Sequence, residues 1–278
     1  GIACKILRVP VVANVTGLGD AVENQGLVQK LVLFLTKVAL KKTKTVFFQN
    51  ISNKQFYEQL RLVRHEQSQL LPGSGVNLEK HSYIIYPKDG NKIRMVYISR
   101  IMKDKGIGEL IEAVTKIHSN HPSVTCDIVG SFEDDSYRNL IESYVATEAG
   151  QYLGVSSDVH ALLSEYHAVV LPSYHEGMSN VLLEAASTGR PVLASNVPGC
   201  RETFDEGISG FSFEPRSVDS LAQAIERFIA LPHEQKAAMG LAGREKMERE
   251  FDRQIVVDAY MREIENILEE NDKKDKKK

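Results

Sequence analysis

With 278 residues and a formal net charge of −3, the chain is long enough for two domains with real cores and lacks the basic surplus of a nucleic-acid binder. No stretch reaches the roughly 18 to 20 consecutive apolar residues that a membrane-spanning helix needs. The three cysteines, Cys4, Cys126 and Cys200, are odd in number and lack metal-ligand spacing, so they read as free thiols of a reducing cytoplasm.

The chain opens Gly1-Ile2-Ala3-Cys4, without a methionine, a basic leader or a cleavage site, and is expected to be processed, trimmed or a fragment. Residues 1–8 read as the end of a helix. Residues 9–15 read as a buried strand that runs into Thr16-Gly17-Leu18-Gly19-Asp20. Gly17 and Gly19 permit close backbone approach to a ligand, and equally make a plain turn. Over 27–44 the pattern predicts a helix with a wide apolar face (Leu27, Val28, Leu31, Val32, Phe34, Leu35, Val38, Ala39) and lysines at Lys30, Lys37, Lys41, Lys42 and Lys44. Such a helix can lie on an anionic membrane, or be internal with its lysines solvated. A strand at 45–49, a helix at 53–60 and a short strand at 69–71 follow, and the last opens into the turn Pro72-Gly73-Ser74-Gly75-Val76-Asn77. The polar residues 79–92, with Pro87 and Gly90, read as an interdomain linker.

From 93 onward strands and helices alternate, which predicts a parallel sheet covered on both faces. Strand 93–99 runs into a loop bracketed by Arg100 and Lys105. Ile107, Leu110, Ile111, Val114 and Ile117 then follow the helical period. Two fixed cations at a strand's carboxyl end can hold a diphosphate as it leaves, or simply be solvated. Strand 124–130 ends on Gly130, where a side chain would crowd a nucleotide. A helix at 135–147, a brief strand at 151–153 and a helix at 158–165 come next, with Ser157 as N-cap and His160 on the helix surface.

The densest stretch is 168–203, AVVLPSYHEGMSNVLLEAASTGRPVLASNVPGCRET. Residues 168–171 form an apolar strand ended by Pro172, and 181–188 a helix stopped by Gly189 and Pro191. Between them lies a polar elbow that delivers Ser179 or Asn180 as helix N-cap. The N–H groups there favour an anion such as a phosphate, as do open α/β sheets at this end of a strand. Glu176 and Glu184 stand here with seven residues between them. Beside a phosphate site they suit neutral hydroxyls, as on sugar or ribose rings, or are merely solvated. A turn and strand at 207–213, helices at 217–230, 233–249 and 255–268, and a charged tail at 271–278 expected to be disordered complete the chain.

The segment HEGMSNVLLEAASTGRPVLAS resembles the paired-glutamate signature of glycosyltransferase family 4, the glycosyl transferases group 1, and the likeness runs through most of the chain. The resemblance implies an α/β fold of GT-B type, two Rossmann-like domains facing a cleft. The first, 1–78, would be incomplete; the second, 93–250, would be a doubly wound parallel sheet; and 251–270 would be a helix crossing back to the first. It implies a retaining, metal-independent transfer, with no cofactor, from a nucleotide sugar, a UDP-sugar, to a glycan or lipid-linked glycan acceptor in surface polysaccharide synthesis. By the same resemblance Arg100 and Lys105 clamp the diphosphate and Glu176 holds sugar hydroxyls. Glu184 holds the ribose, and the N–H groups of Gly177, Met178, Ser179 and Asn180 hold sugar and phosphates. Asp158 and Val159 face the base, and Gly17 and Gly19 line the cleft. Two departures stand out: no histidine lies near Thr16, where many members carry one, and Ser179 replaces a common proline. Lipid-linked acceptors sit at a membrane, so helix 27–44 is expected to dock on its inner face. Two alternatives stay open at this point, a non-catalytic nucleotide-sugar-binding fragment and a sugar-nucleotide epimerase of the same fold.

Overall fold

The computed structural model describes residues 2–7, 9–17, 26–88, 90 and 92–275. The chain divides into two compact units, one of Gly1–Gly75 with Arg253–Lys278 and one of Val76–Asp252.

The first unit contains α1 (Ile2–Leu7), β1 (Val12–Val15), α2 (Leu27–Leu40), β2 (Thr45–Phe48), α3 (Ile51–Gln59), β3 (Ser68–Leu70) and the last helix, α10 (Arg253–Asp275). Its described strands pair in parallel in the order β1-β2-β3. The central strand is buried throughout, and the two-residue period of a strand sends its side chains to opposite faces. Val46 and Phe48 pack with Tyr57, Leu62 and Val63. Phe47 turns the other way, onto Leu71 and Val256, with its ring 4.7 Å from that of Tyr260 on α10. Thr45 and Gln69 both donate to Glu263, at 2.5 and 2.9 Å, so α10 is tied down by polar contacts as well.

The second unit contains β4 (Ile93–Ile98), α4 (Ile107–Asn120), β5 (Val124–Val129), α5 (Arg138–Ala146), α6 (Val159–Leu163) and β6 (Ala168–Leu171). It continues with α7 (Asn180–Ser187), β7 (Val192–Ser195), β8 (Gly210–Phe213), α8 (Val218–Ile229) and α9 (His233–Glu250). The sheet is parallel, in the order β5-β4-β6-β7-β8. This doubly wound order reverses direction between β4 and β6, the crevice where such sheets take ligands. The strands are near-continuous apolar runs because helices cover both faces: α4 packs with α8, and α7 with α9. Side chains such as Leu110, Val114 and Leu182 are shut away from water, each stabilising the unit by roughly 1.5–3 kcal/mol.

Three expectations change. The segment 79–92 is no free linker: it belongs to the second unit, with His81 and Tyr86 buried there. The cause is Arg190, a fully buried cation that needs acceptors. It donates to the carbonyls of Ile84 at 2.9 Å and Ile85 at 3.3 Å, as well as to Leu163 at 2.8 Å. Burial lowers its pKa to about 10, so the charge is retained at neutral pH. Residues 151–153 make a single bridge, Tyr152 to Ile128, instead of a strand. The tail expected to be disordered over 271–278 is helical as far as Asp275, with Lys44 reaching Glu270 and Lys273 reaching Glu269 one turn away; residues 276–278 lie outside the described residues.

Candidate active site

The pairing of β4 with β6 brings together the two loops that leave them. The backbone N–H of Tyr174 donates to the carbonyl of Asp104 at 2.9 Å, and the Tyr174 hydroxyl donates to Glu109 at 2.6 Å. Those bonds clamp the basic loop to the elbow. Across them Lys105 Nζ lies 2.5 Å from Glu176 Oε1, each side chain 16% exposed. The Tyr97 hydroxyl donates to the carbonyl of Arg100 at 3.0 Å and pins the start of the same loop.

The turn after β7 backs the elbow. Gly199 adopts φ +83°, and a Cβ there would sit 2.6 Å from the Glu176 carbonyl and 2.7 Å from that of Gly177, so only glycine fits. Its carbonyl accepts the Ser179 N–H at 2.8 Å, and its own N–H donates to Glu202 Oε2 at 2.7 Å. Below them the Cys200 thiol is pushed well up by burial, with Glu176 and Glu202 adding to the shift and Lys105 opposing it. Ser179 is the N-cap of α7, but among the described residues its hydroxyl makes no capping bond. The first turn of α7, from Asn180, therefore presents N–H groups and the positive end of the helix dipole with no side-chain cap. The Met178 side chain is buried against Val76, Leu183 and Met247, which leaves only its backbone to face a ligand.

The other expected residues make contacts of their own. Arg100 is 56% exposed and its Nη1 lies 3.4 Å from Glu133 Oε2, beyond β5, while Lys105 turns to Glu176. A Cβ on Gly130 would lie 1.8 Å from the Ser99 carbonyl, so the neighbouring strand end by itself requires glycine there. Asp158, not Ser157, caps α6, its carboxylate accepting the Ala161 N–H at 2.9 Å, and Val159 opens that helix. Glu184 Oε1 stands 3.7 Å from Nε2 of the buried His81. His160 is more than a surface residue: its Nδ1 is 3.2 Å from the Thr188 hydroxyl and its ring meets His81 edge-on at 5.8 Å. Gly17 is exposed in the first unit, and Gly19 lies outside the described residues.

Sequence reasoning passed over His81 and Glu202. Neither sits in a periodic or glycine-rich pattern, and only the placement of 79–92 beside α7 and of the β7 turn beneath the elbow reveals them. Among the described residues no three His, Cys, Asp or Glu side chains cluster as a metal site needs, and no helix is long and apolar enough to cross a membrane.

A doubly wound parallel sheet with a lysine, a glutamate and an uncapped helix start at its switch point has the ligand-binding layout of an open α/β fold. Residues 84–246, more than half of the chain, match the family described as glycosyl transferases group 1, and the chain belongs to that family of glycosyltransferases. It is 25% identical to the N,N'-diacetylbacillosaminyl-diphospho-undecaprenol alpha-1,3-N-acetylgalactosaminyltransferase of Campylobacter jejuni, over 96% of this chain and 73% of that protein. It is 29% identical to the capsular polysaccharide biosynthesis glycosyltransferase CapM of Staphylococcus aureus, over 64% of this chain but only 47% of CapM. Among solved structures it resembles Anabaena HepE in complex with UDP and glucose, with a TM-score of 0.78, 19% identity, 95% of this chain covered and 73% of HepE. At that identity the likeness carries the fold alone.

Proposed function

We propose that the chain transfers a glycosyl group from a nucleotide sugar with a uridine diphosphate leaving group to a hydroxyl of a glycan or lipid-linked glycan, retaining anomeric configuration and using no metal ion. The observation that carries this reading is the 2.5 Å approach of Lys105 to Glu176 at the switch point, a cation suited to phosphate beside a carboxylate suited to sugar hydroxyls. In this reading Lys105, the uncapped start of α7 and Arg100, released from Glu133, neutralise the diphosphate as its bond to the sugar breaks. Glu176 accepts the sugar hydroxyls and Glu184 those of the ribose. Backbone groups at Asp158 and Val159 face the base. The UDP in HepE and the lipid-linked diphosphate named for the Campylobacter relative support the donor and acceptor classes.

The test is a thermal-shift panel of UDP, ADP, GDP and their sugars, followed by transfer assays. Uridine ligands are expected to raise the melting temperature, and Arg100→Ala to lower turnover by at least about a hundredfold without unfolding the chain. Near-normal turnover of Arg100→Ala would remove it from the clamp. Binding without turnover would favour a nucleotide-sugar-binding fragment.

We also infer a cytoplasmic location with peripheral contact to an anionic membrane through α2. Leu27, Val28, Leu31, Phe34 and Leu35 form one outward stripe, with Leu27 84% and Phe34 62% exposed. The helix carries no acidic residue, and Lys30, Lys37 and Lys41 flank the stripe. Co-flotation with vesicles containing phosphatidylglycerol is expected, and its survival after all three lysines are changed to glutamate would dispose of the idea.

A further inference from the structure

We propose that the Lys105–Glu176 ion pair selects a sugar-bearing diphosphate over a bare one, by making the cation available only to a ligand that also satisfies the carboxylate. This inference rests on the donor-site reading above.

Both side chains are largely withdrawn from water, and the charge of Lys105 is already met at 2.5 Å by Glu176. The two loops that carry them are held by backbone and hydroxyl bonds between Tyr174, Asp104 and Glu109. Behind Glu176, the bare backbone of Gly199 packs against the Glu176 and Gly177 carbonyls, so closely that a Cβ would not fit between them. The pair is thus built into the resting site and is not an incidental contact of two mobile side chains. A bare nucleoside diphosphate approaching Lys105 must share it with a carboxylate of its own sign. The like charge opposes that approach, and a carboxylate left half-buried without its partner costs more than an exposed one. A nucleotide sugar resolves both problems together. Its phosphate oxygens take Lys105 while its sugar hydroxyls donate to Glu176, so each member of the pair exchanges one partner for another. The spent nucleotide, which has lost the hydroxyls, is then the weaker ligand and is released.

Arg100 has no such restriction. It is exposed, and its partner Glu133 is exposed as well, so it serves any diphosphate. Selection therefore falls on one cation of the two.

Calorimetry with UDP and with UDP-glucose on wild type, Glu176→Gln and Glu176→Ala tests the exchange. Freed from its carboxylate, Lys105 is expected to bind UDP about tenfold more tightly in Glu176→Gln, the size of one charge-assisted contact. UDP-glucose affinity is expected to stay level or fall, so that the preference for the sugar-bearing ligand collapses. Glu176→Ala, which removes the side chain altogether, is expected to move UDP in the same direction and serves if the amide variant folds poorly. Unchanged or weaker UDP binding in both variants overturns the exchange and leaves Glu176 a sugar ligand only. Failure of wild type to bind either nucleotide overturns the donor-site reading, and this inference with it.

Discussion

The two units solve one packing problem differently. In the second, five parallel strands are covered by helices on both faces, and the side chains of β4, β6 and β7 are sealed by neighbours within a single run of chain. In the first, the described sheet has three strands, one face is closed by α10 arriving from the far end of the sequence, and α2 keeps a row of large apolar side chains outward. The difference teaches where each unit is vulnerable. The second depends on its own interior, and the first on a helix some two hundred positions away.

The largest expected effect sharpens that contrast. Arg190→Ala leaves the carbonyls of Leu163, Ile84 and Ile85 without their buried donor and should cost about 3–5 kcal/mol. Hydrogen exchange should accelerate in β4 to β8 and around Ile84, with β1 to β3 unaltered. Uniform acceleration across both units would break the comparison. Next in size, Tyr260→Ala removes the ring against Phe47 and is expected to cost about 2 kcal/mol, now in β1 to β3 alone.

A smaller effect depends on pH and again belongs to the second unit. Burial lowers the pKa of His167 below its ordinary value of 6.5, and its Nδ1 accepts the Arg94 N–H at 3.1 Å, a bond that only the unprotonated nitrogen can make. Because the unfolded chain takes up the proton first, this contribution is fully present above about pH 6.5 and is lost as pH falls through the folded pKa. Melting curves between pH 7.5 and 5 should show a decline for wild type that is flatter in His167→Gln; identical slopes would remove His167 from the account. The smallest effect is on α2. Changing Lys30, Lys37 and Lys41 to glutamate should alter stability by no more than about 0.5 kcal/mol, since the helix is held by its inner face through Leu33 and Leu40.

Much of this was legible beforehand because the cues are local. The apolar run at Ala168–Leu171, the polar elbow, and the glycine and proline after α7 are neighbours in sequence, and they place Glu176 at a strand end without any tertiary information. The charged tail misled for a related reason. Its composition argues for disorder, yet spacing of four residues between Glu269 and Lys273 supports a helix once α10 has a sheet to lie on. Segment 79–92 misled because polar, proline-containing sequence looks like a linker whether or not a buried arginine elsewhere needs its carbonyls.

The amino-acid order alone determined the alternation of strands and helices, the elbow and the residue types that face a ligand, since these follow from backbone preference and short-range periodicity. Only the folded chain decided which charges meet. Lys105 and Glu176 are 71 positions apart and Arg190 and Ile84 106, and such pairs exist because the order of strands in the sheet aims their loops at one another. Arg100 had the same local credentials as Lys105 and stands on the same loop, but at its start, where the carboxylate it meets is Glu133, beyond β5. Electrostatic attraction acts over a few ångströms of space, not of sequence, and the fold alone sets which charges come that close.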